Sequence, residues 1–307
     1  MNKVRRALST GRTVLSDWRW FPFFFQRRFR RPGHRAAAVR LISSLRPGPG
    51  AGAASSDAAD ALLSEGQAGL GLVLSRAECE EIRAHLEQRP VEDQYRPEVA
   101  AWLPLAEGRH PHSHVGYHAH EDVVRALHLL ALANRADILA LVERFLGCRP
   151  TIAYLAAWWS YPTGLAAQQA ENFHRDVDDW RFVKLFVYLT DVDEAHGPHV
   201  YVRKSADAAE ARAIRRFTDE EVRAHFPPEN IVSMTGEAGT AFLENTYGMH
   251  KGQPVREGHR LIFQAVYSLL PLPYGPPRPV IGGAEAAAVA GHALDPFVNR
   301  VYVAQNG

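Results

Sequence analysis

The sequence predicts a mainly β domain with flanking helices, its strands paired antiparallel as a sandwich or jelly-roll barrel. After Arg149, β-branched and aromatic residues gather into short runs broken by turn residues: TIAYLAAWWSYP, RFVKLFVYLTDV, HVYVR, NIVSM, GTAFLEN and HRLIFQAVYS. No helix of crossover length separates most of them, which disfavours a parallel doubly wound sheet. Before Arg149 the texture is helical, with apolar residues recurring at three- and four-residue spacing.

The elements follow in order. Residues 1–40 hold eleven Lys or Arg against one acid, Asp17, and leave twenty-four basic and thirty-three acidic residues in the remainder. A cationic arm thus precedes an acidic body, and the near-neutral total of +1 conceals the division. In residues 17–35 arginines interleave with aromatics, a composition suited to anionic lipid headgroups or to nucleic-acid phosphates. The plainer reading is an extension that lays its aromatics on the body. Residues 45–58, rich in Gly, Pro, Ala and Ser, read as a linker. Ser75 and Glu78 form a capping-box pattern that opens a helix running to about Glu87. Two more helices are expected between Glu121 and Leu146, around Asn134. Thr218 and Glu221 cap a short helix inserted among the strands, and the Pro-rich stretch from Pro271 ends the last strand. The expected division is an arm and linker over 1–56, a main domain over 57–275 and a tail over 276–307.

Composition narrows the class. With 46% hydrophobic and 22% charged residues among 307, the chain is neither mainly disordered nor fibrous. The apolar run 21–25 is interrupted by Pro22 and falls far short of the ~20 residues a membrane-spanning helix needs. Cys79 and Cys148 are too few and too distant for a disulfide framework or a thiolate metal site and are expected as core thiols. No secretory pattern follows the initial basic residues, so a cytoplasmic location is expected, with the arm free to meet the inner face of a membrane.

The chemistry is concentrated in ENFHRDVDDWRF. On extended backbone His174 and Asp176 share one face and Arg175 takes the other, so an imidazole and a carboxylate can grip one ion. Alone, such a triplet is a common accident. Support comes from His250 in ENTYGMHKG and from Arg260, ten residues later in a β-run. Two imidazoles and one carboxylate leave coordination positions open on an iron(II) ion for a bidentate 2-oxo acid and dioxygen. A buried arginine offers the planar fork that suits the distal carboxylate of that acid.

From about Thr151 to Ser268 the sequence resembles the phytanoyl-CoA hydroxylase family of iron(II)- and 2-oxoglutarate-dependent dioxygenases. The resemblance rests on FHRD, KLFVYLTDVDEAHGPHVYV and GTAFLENTYGMHKG followed by Arg260, in that order. It implies a double-stranded β-helix core, a jelly-roll of the cupin kind. It also implies iron(II) held by His174, Asp176 and His250, 2-oxoglutarate held by Arg260, and dioxygen as the oxidant. The expected reaction is hydroxylation of an unactivated C–H bond of a small-molecule or lipid-like metabolite, with succinate and carbon dioxide released. Two positions depart from the family pattern. Arg175 stands where Gln is common between the ligands, and Arg203-Lys204-Ser205-Ala206 replaces a Pro-Gly-Ser-His run. Asp176 retains its carboxylate, so the open halide site of related halogenases is not expected.

Other residues admit two readings. Lys184 alternates with apolar neighbours on its strand and either faces inward, to pair with a carboxylate of co-substrate or substrate, or lies outward over apolar surface. Asp178, Asp179 and Trp180 line a substrate mouth or form a hydrated turn. The tract holding His110, His112, His114, His118 and His120 reads as a lid or substrate-contact loop in preference to a metal site. His196 and His199 are explained by the turn at Gly197-Pro198. The expected partner is a small-molecule substrate, with peripheral contact of residues 1–40 at an anionic membrane left open and no nucleic acid expected. Two competing accounts are a non-catalytic metal-binding jelly-roll protein and a peripheral membrane protein that uses the arm.

Overall fold

The computed structural model describes residues 14–29, 31–50, 56–208 and 213–305. The basic residues at 1–13, Arg30 and positions 51–55 of the expected linker lie outside them.

Seven strands form the larger sheet: β1 (Gln67–Leu72), β2 (Val91–Glu92), β3 (Val115–His118), β4 (Thr151–Ser160), β5 (Phe182–Tyr188), β8 (Thr240–Glu244) and β10 (Arg260–Ser268). Their order is β1-β8-β5-β10-β4-β3-β2, antiparallel throughout. The smaller sheet has β6 (His199–Val202) between β7 (Ile231–Met234) and β9 (His250–Gly252). Bridges His174↔His250 and Val192↔Gly236 extend it. These two sheets make the jelly-roll that the strand runs predict.

The outward face of the larger sheet is covered by helices. Leu155, Trp159, Leu185, Val187, Leu261, Phe263 and Ala265 on that face join one apolar core with Ile82, Leu86, Ile138, Val142 and Leu146 of the helices. With a helix layer on one face and the smaller sheet opposite the other, every residue of β5 and β10 is buried. Burial on both faces is why their sequences are nearly continuous apolar runs. Both capping boxes form. Ser75 accepts from Glu78 N and opens the helix Arg76–Glu87, while Thr218 accepts from Glu221 N and opens Asp219–His225.

The first half is not wholly helical, contrary to expectation. Gln67–Leu72 edges the larger sheet beside β8, and Val115–His118 joins its other side beside β4. The first was hidden by Gly69 and Gly71, where the pairing register shifts and Gly71 adopts φ +67°. The second lies inside the His-rich tract, so that tract is partly sheet and not a free lid. Gly116 is needed there for close approach, because a Cβ would come within 2.6 Å of Val91.

The two ends of the described chain pack on the body. In the helix Trp20–Gln26, Phe23 and Gln26 are buried, and the Gln26 amide donates to Val177 O at 2.7 Å. Arg35, in the helix Pro32–Ser44, donates to Asp179 O and Trp180 O. At the other end, Val298, Val301 and Tyr302 enter the core. The Tyr302 hydroxyl accepts from Leu155 N at 2.7 Å, serving a part of β4 that extends beyond its pairing with β3. Tyr302→Phe therefore strands a buried N–H and is expected to lower stability by about 1–3 kcal/mol, measured by urea unfolding. A midpoint equal to that of the wild type would refute this role.

Candidate active site

The two histidines are brought together by main chain. His174 N donates to His250 O at 2.9 Å and His250 N returns the bond to His174 O at 3.0 Å. Two residues on, Asp176 N donates to Thr246 O at 2.9 Å, so Asp176 emerges on the same face as His174. The ring centroids of the histidines stand 4.2 Å apart. Asp176 Oδ1 is 3.6 Å from His174 Nε2, and Asp176 Oδ2 is 3.2 Å from His250 Nε2. One ligand atom from each of the three residues fits within 4.8 Å of the others, the only such cluster of His, Cys, Asp or Glu among the described residues.

This donor set fits a divalent cation. His174 Nδ1 meets Asn172 O at 2.9 Å and His250 Nδ1 meets Gly248 O at 3.0 Å. Each contact fixes the ring proton on Nδ1 and leaves an Nε2 lone pair toward the shared point, as metal-binding imidazoles require. Burial, aided by the neighbouring His250, pushes His174 well below the ordinary histidine range and keeps it neutral. Burial would raise the Asp176 carboxyl, but the adjacent Lys184 ammonium outweighs it and holds the group well below the carboxylate range.

Arg175 points away, as period-two geometry requires. Its guanidinium donates to Tyr247 O and Ser205 O, both at 2.6 Å, and straps the ligand segment to the turns on either side of it. Lys184 faces inward. Its ammonium lies 2.6 Å from Asp176 Oδ2 and 3.1 Å from Asp178 Oδ2. Burial opposes its charge, but the two carboxylates prevail and hold it above the ordinary lysine range. Asp178 is itself pushed upward by burial, with Lys184 pulling the other way.

Arg260 opens β10 and lines the same cavity, of about 460 Å³, as the three ligand candidates. It donates to Gly197 O and, at 3.0 Å, to Ser160 Oγ, while its buried Nε has no acceptor. Burial pulls its pKa down, and no carboxylate pairs with it among the described residues. An interior guanidinium with an orphaned donor is an incomplete anion site. It fits the distal carboxylate of a 2-oxo acid.

Two residues with a place in the site were missed. His199 is the first residue of β6, not merely a turn residue, and its ring packs 4.7 Å from Phe186 and 5.6 Å from His250. Its Nε2 lies 2.7 Å from Oε2 of Glu244, a fully buried acid of β8. The alternation in HVYV, which puts His199 and Tyr201 on one face, was the available signal. In the His-rich tract, His114 pairs with Glu171 at 2.8 Å, and His118 accepts from Trp159 Nε1 at 3.1 Å with its pKa lowered to about 4 by burial. Both are cavity wall.

Replacing Lys184 with Met leaves Asp176 and Asp178 buried without their cation. The change is expected to lower the stability of metal-free protein by about 3–5 kcal/mol, read by chemical denaturation. An undiminished stability would mean that the three charges do not form one cluster.

A sequence profile described as phytanoyl-CoA dioxygenase matches residues 63–260. No curated protein matches the chain by sequence. Among solved structures, HygX from Streptomyces hygroscopicus, determined with nickel and 2-oxoglutarate, has a TM-score of 0.51 at 17% identity, covering 79% of this chain and 96% of that one. A further HygX structure also contains hygromycin B. EctD from S. alaskensis, with 2-oxoglutarate and 5-hydroxyectoine, has a TM-score of 0.51 at 19% identity over 84% of this chain and 91% of that one. At such identities these likenesses establish the shared fold.

Proposed function

The chain belongs to the phytanoyl-CoA dioxygenase family of iron(II)- and 2-oxoglutarate-dependent oxygenases, and from that premise we propose that it hydroxylates an unactivated C–H bond of a small molecule. In this reading His174, Asp176 and His250 hold the iron and Arg260 holds the distal carboxylate of 2-oxoglutarate. The observation that carries it is the convergence of three donors, both imidazoles anchored through Nδ1, in one cavity with a buried guanidinium that lacks an anion.

When bound, the metal and the 2-oxo acid supply the oxidising power drawn from dioxygen, with succinate and carbon dioxide released. The rest is the work of the chain. Arg260 and Ser160 fix one end of the co-substrate and so set the direction from which its other end meets the metal site. Lys184 takes a different part from the one expected of it. With its ammonium committed to Asp176 and Asp178, it positions the ligand carboxylate and leaves co-substrate binding to Arg260. Phe186, Ile262 and Trp158 line the space around the reacting centre and exclude water. A cavity of about 460 Å³ suits a small-molecule substrate beside the co-substrate. HygX with hygromycin B and EctD with 5-hydroxyectoine likewise hold small molecules.

The test is 2-oxoglutarate turnover to succinate under iron(II). Asp176→Ala is expected to reduce it by more than about a hundredfold, beyond the ten- to hundredfold that loss of outer support costs. Arg260→Ala is expected to weaken 2-oxoglutarate binding by about two orders of magnitude. Turnover indifferent to both substitutions would remove the assignment.

A second property is proposed for the arm. Trp18, Phe21 and Phe25 are 61%, 60% and 46% exposed, at a spacing that places them on one side of the segment, with Arg28 and Arg31 exposed nearby. Such a stripe suits the interface of an anionic bilayer. No helix among the described residues is long and apolar enough to cross a membrane. Vesicles of phosphatidylserine and phosphatidylcholine should bind the protein at low salt, and Phe21→Ala with Phe25→Ala should release most of it. Binding that is absent, or unchanged in the double variant, would exclude this role.

A further inference from the structure

The cavity contains a cation that none of the described residues neutralises. Arg216 lines its rim and is exposed, and among the described residues no hydrogen bond or ion pair engages its guanidinium. Its neighbour Arg215 is paired with Glu221 at 2.7 Å, so the local acid is already taken. Arg216 is not loosely placed. The next residue, Phe217, is buried and donates from its N to Phe173 O at 2.8 Å, immediately before His174. Arg216 thus lines the same cavity as Tyr95 and His174.

The other cations of the cavity are otherwise assigned. Lys184 is matched by Asp176 and Asp178, and Arg260 is reserved for the co-substrate in the reading above. Much of the surrounding wall is aromatic: Tyr117 stacks on Trp158 with centroids 5.3 Å apart, and Tyr95, Tyr154 and Tyr274 continue it. In the middle of β10, the Gln264 amide faces this space at 8% exposure with no partner among the described residues.

We propose that Arg216 is the anchor for a substrate carboxylate and that the substrate carries a flat, largely apolar body laid along the Tyr117–Trp158 wall, with one polar group for Gln264. This assignment rests on the iron and 2-oxoglutarate reading of the same cavity. One guanidinium fork matches the two oxygens of a carboxylate. A phosphate dianion would call for further donors, and no second free cation lines the cavity among the described residues. Aromatic faces then reward a planar body through burial and ring contact.

The experiment uses protein loaded with nickel(II) and 2-oxoglutarate, so that Arg260 is engaged, and follows binding of 2-naphthoate and its neutral isostere 2-naphthamide by calorimetry. Wild type is expected to prefer the acid by about tenfold, the contribution of one charge-assisted pair. Arg216→Gln should abolish the preference and Arg216→Lys should restore part of it, with 2-oxoglutarate affinity unchanged in both. Equal binding of acid and amide by wild type, no binding of the acid at millimolar concentration, or a preference that survives Arg216→Gln would overturn the proposal. Failure of wild type to bind 2-oxoglutarate would instead overturn the underlying reading, and the two failures are separately visible.

Discussion

The site depends on one antiparallel pair, the reciprocal main-chain bonds between His174 and His250. Those two bonds bring distant stretches of chain into register and set both imidazoles on one face, and the period of two then delivers Asp176 beside them. Main-chain bonds do not by themselves specify which residues pair, and a slip by one position would send all three donors to the wrong face. Side chains guard the register. Arg175 ties its own segment to Tyr247 O and Ser205 O, and the Ser205 hydroxyl accepts from Met249 N at 2.7 Å. Arg175, the residue between His174 and Asp176, fixes where the paired segments meet.

The same segment is supported from behind by the arm. Gln26 and Arg27 both donate to Val177 O, and Arg35 donates to the carbonyls of Asp179 and Trp180. These carbonyls flank Asp178, which with Asp176 holds Lys184, so the arm helices brace the turn from which the charge cluster is built. The cations of the arm are thereby divided by function. Arg35 is buried against backbone acceptors, whereas Arg28 and Arg31 remain in solvent beside exposed rings. Composition alone reports their sum.

What the sequence disclosed follows from this geometry. The six runs after Arg149 were legible as strands because they are rich in β-branched and aromatic residues, and His174 with Asp176 was legible because two-residue spacing has one meaning on extended chain. The helix starts at Ser75 and Thr218 were legible because capping is local. Features settled by distant contacts were not. Gln67–Leu72 lacks a strand signature around its glycines and is held by β8, and the short strand Val115–His118 is disguised by histidines whose partners lie elsewhere. The inward aim of His199 depends on Glu244, which no local pattern links to it. Lys184 was ambiguous because a strand displays two faces and the sequence does not say which one is interior.

The departures from the family pattern test whether similarity at the ligands extends to the scaffold. Lys204 occupies a position where glycine is common, and its φ of +61° lies in the left-handed region that glycine tolerates freely. A lysine there carries a strain of about 1–3 kcal/mol, so the turn must be held from outside. Lys204 N donates to Glu65 O at 2.8 Å, and its ammonium lies 3.2 Å from the Glu65 carboxylate. The adjoining Ser205 keeps its hydroxyl bonds to Val202 O and Met249 N. The backbone path of the run sets the position of Met249 and therefore of His250. The imidazole common at the fourth position is replaced by the methyl of Ala206, which is buried and offers no polar atom. The turn therefore serves the site through the route of its backbone, and the Ala206 side chain offers it no polar atom.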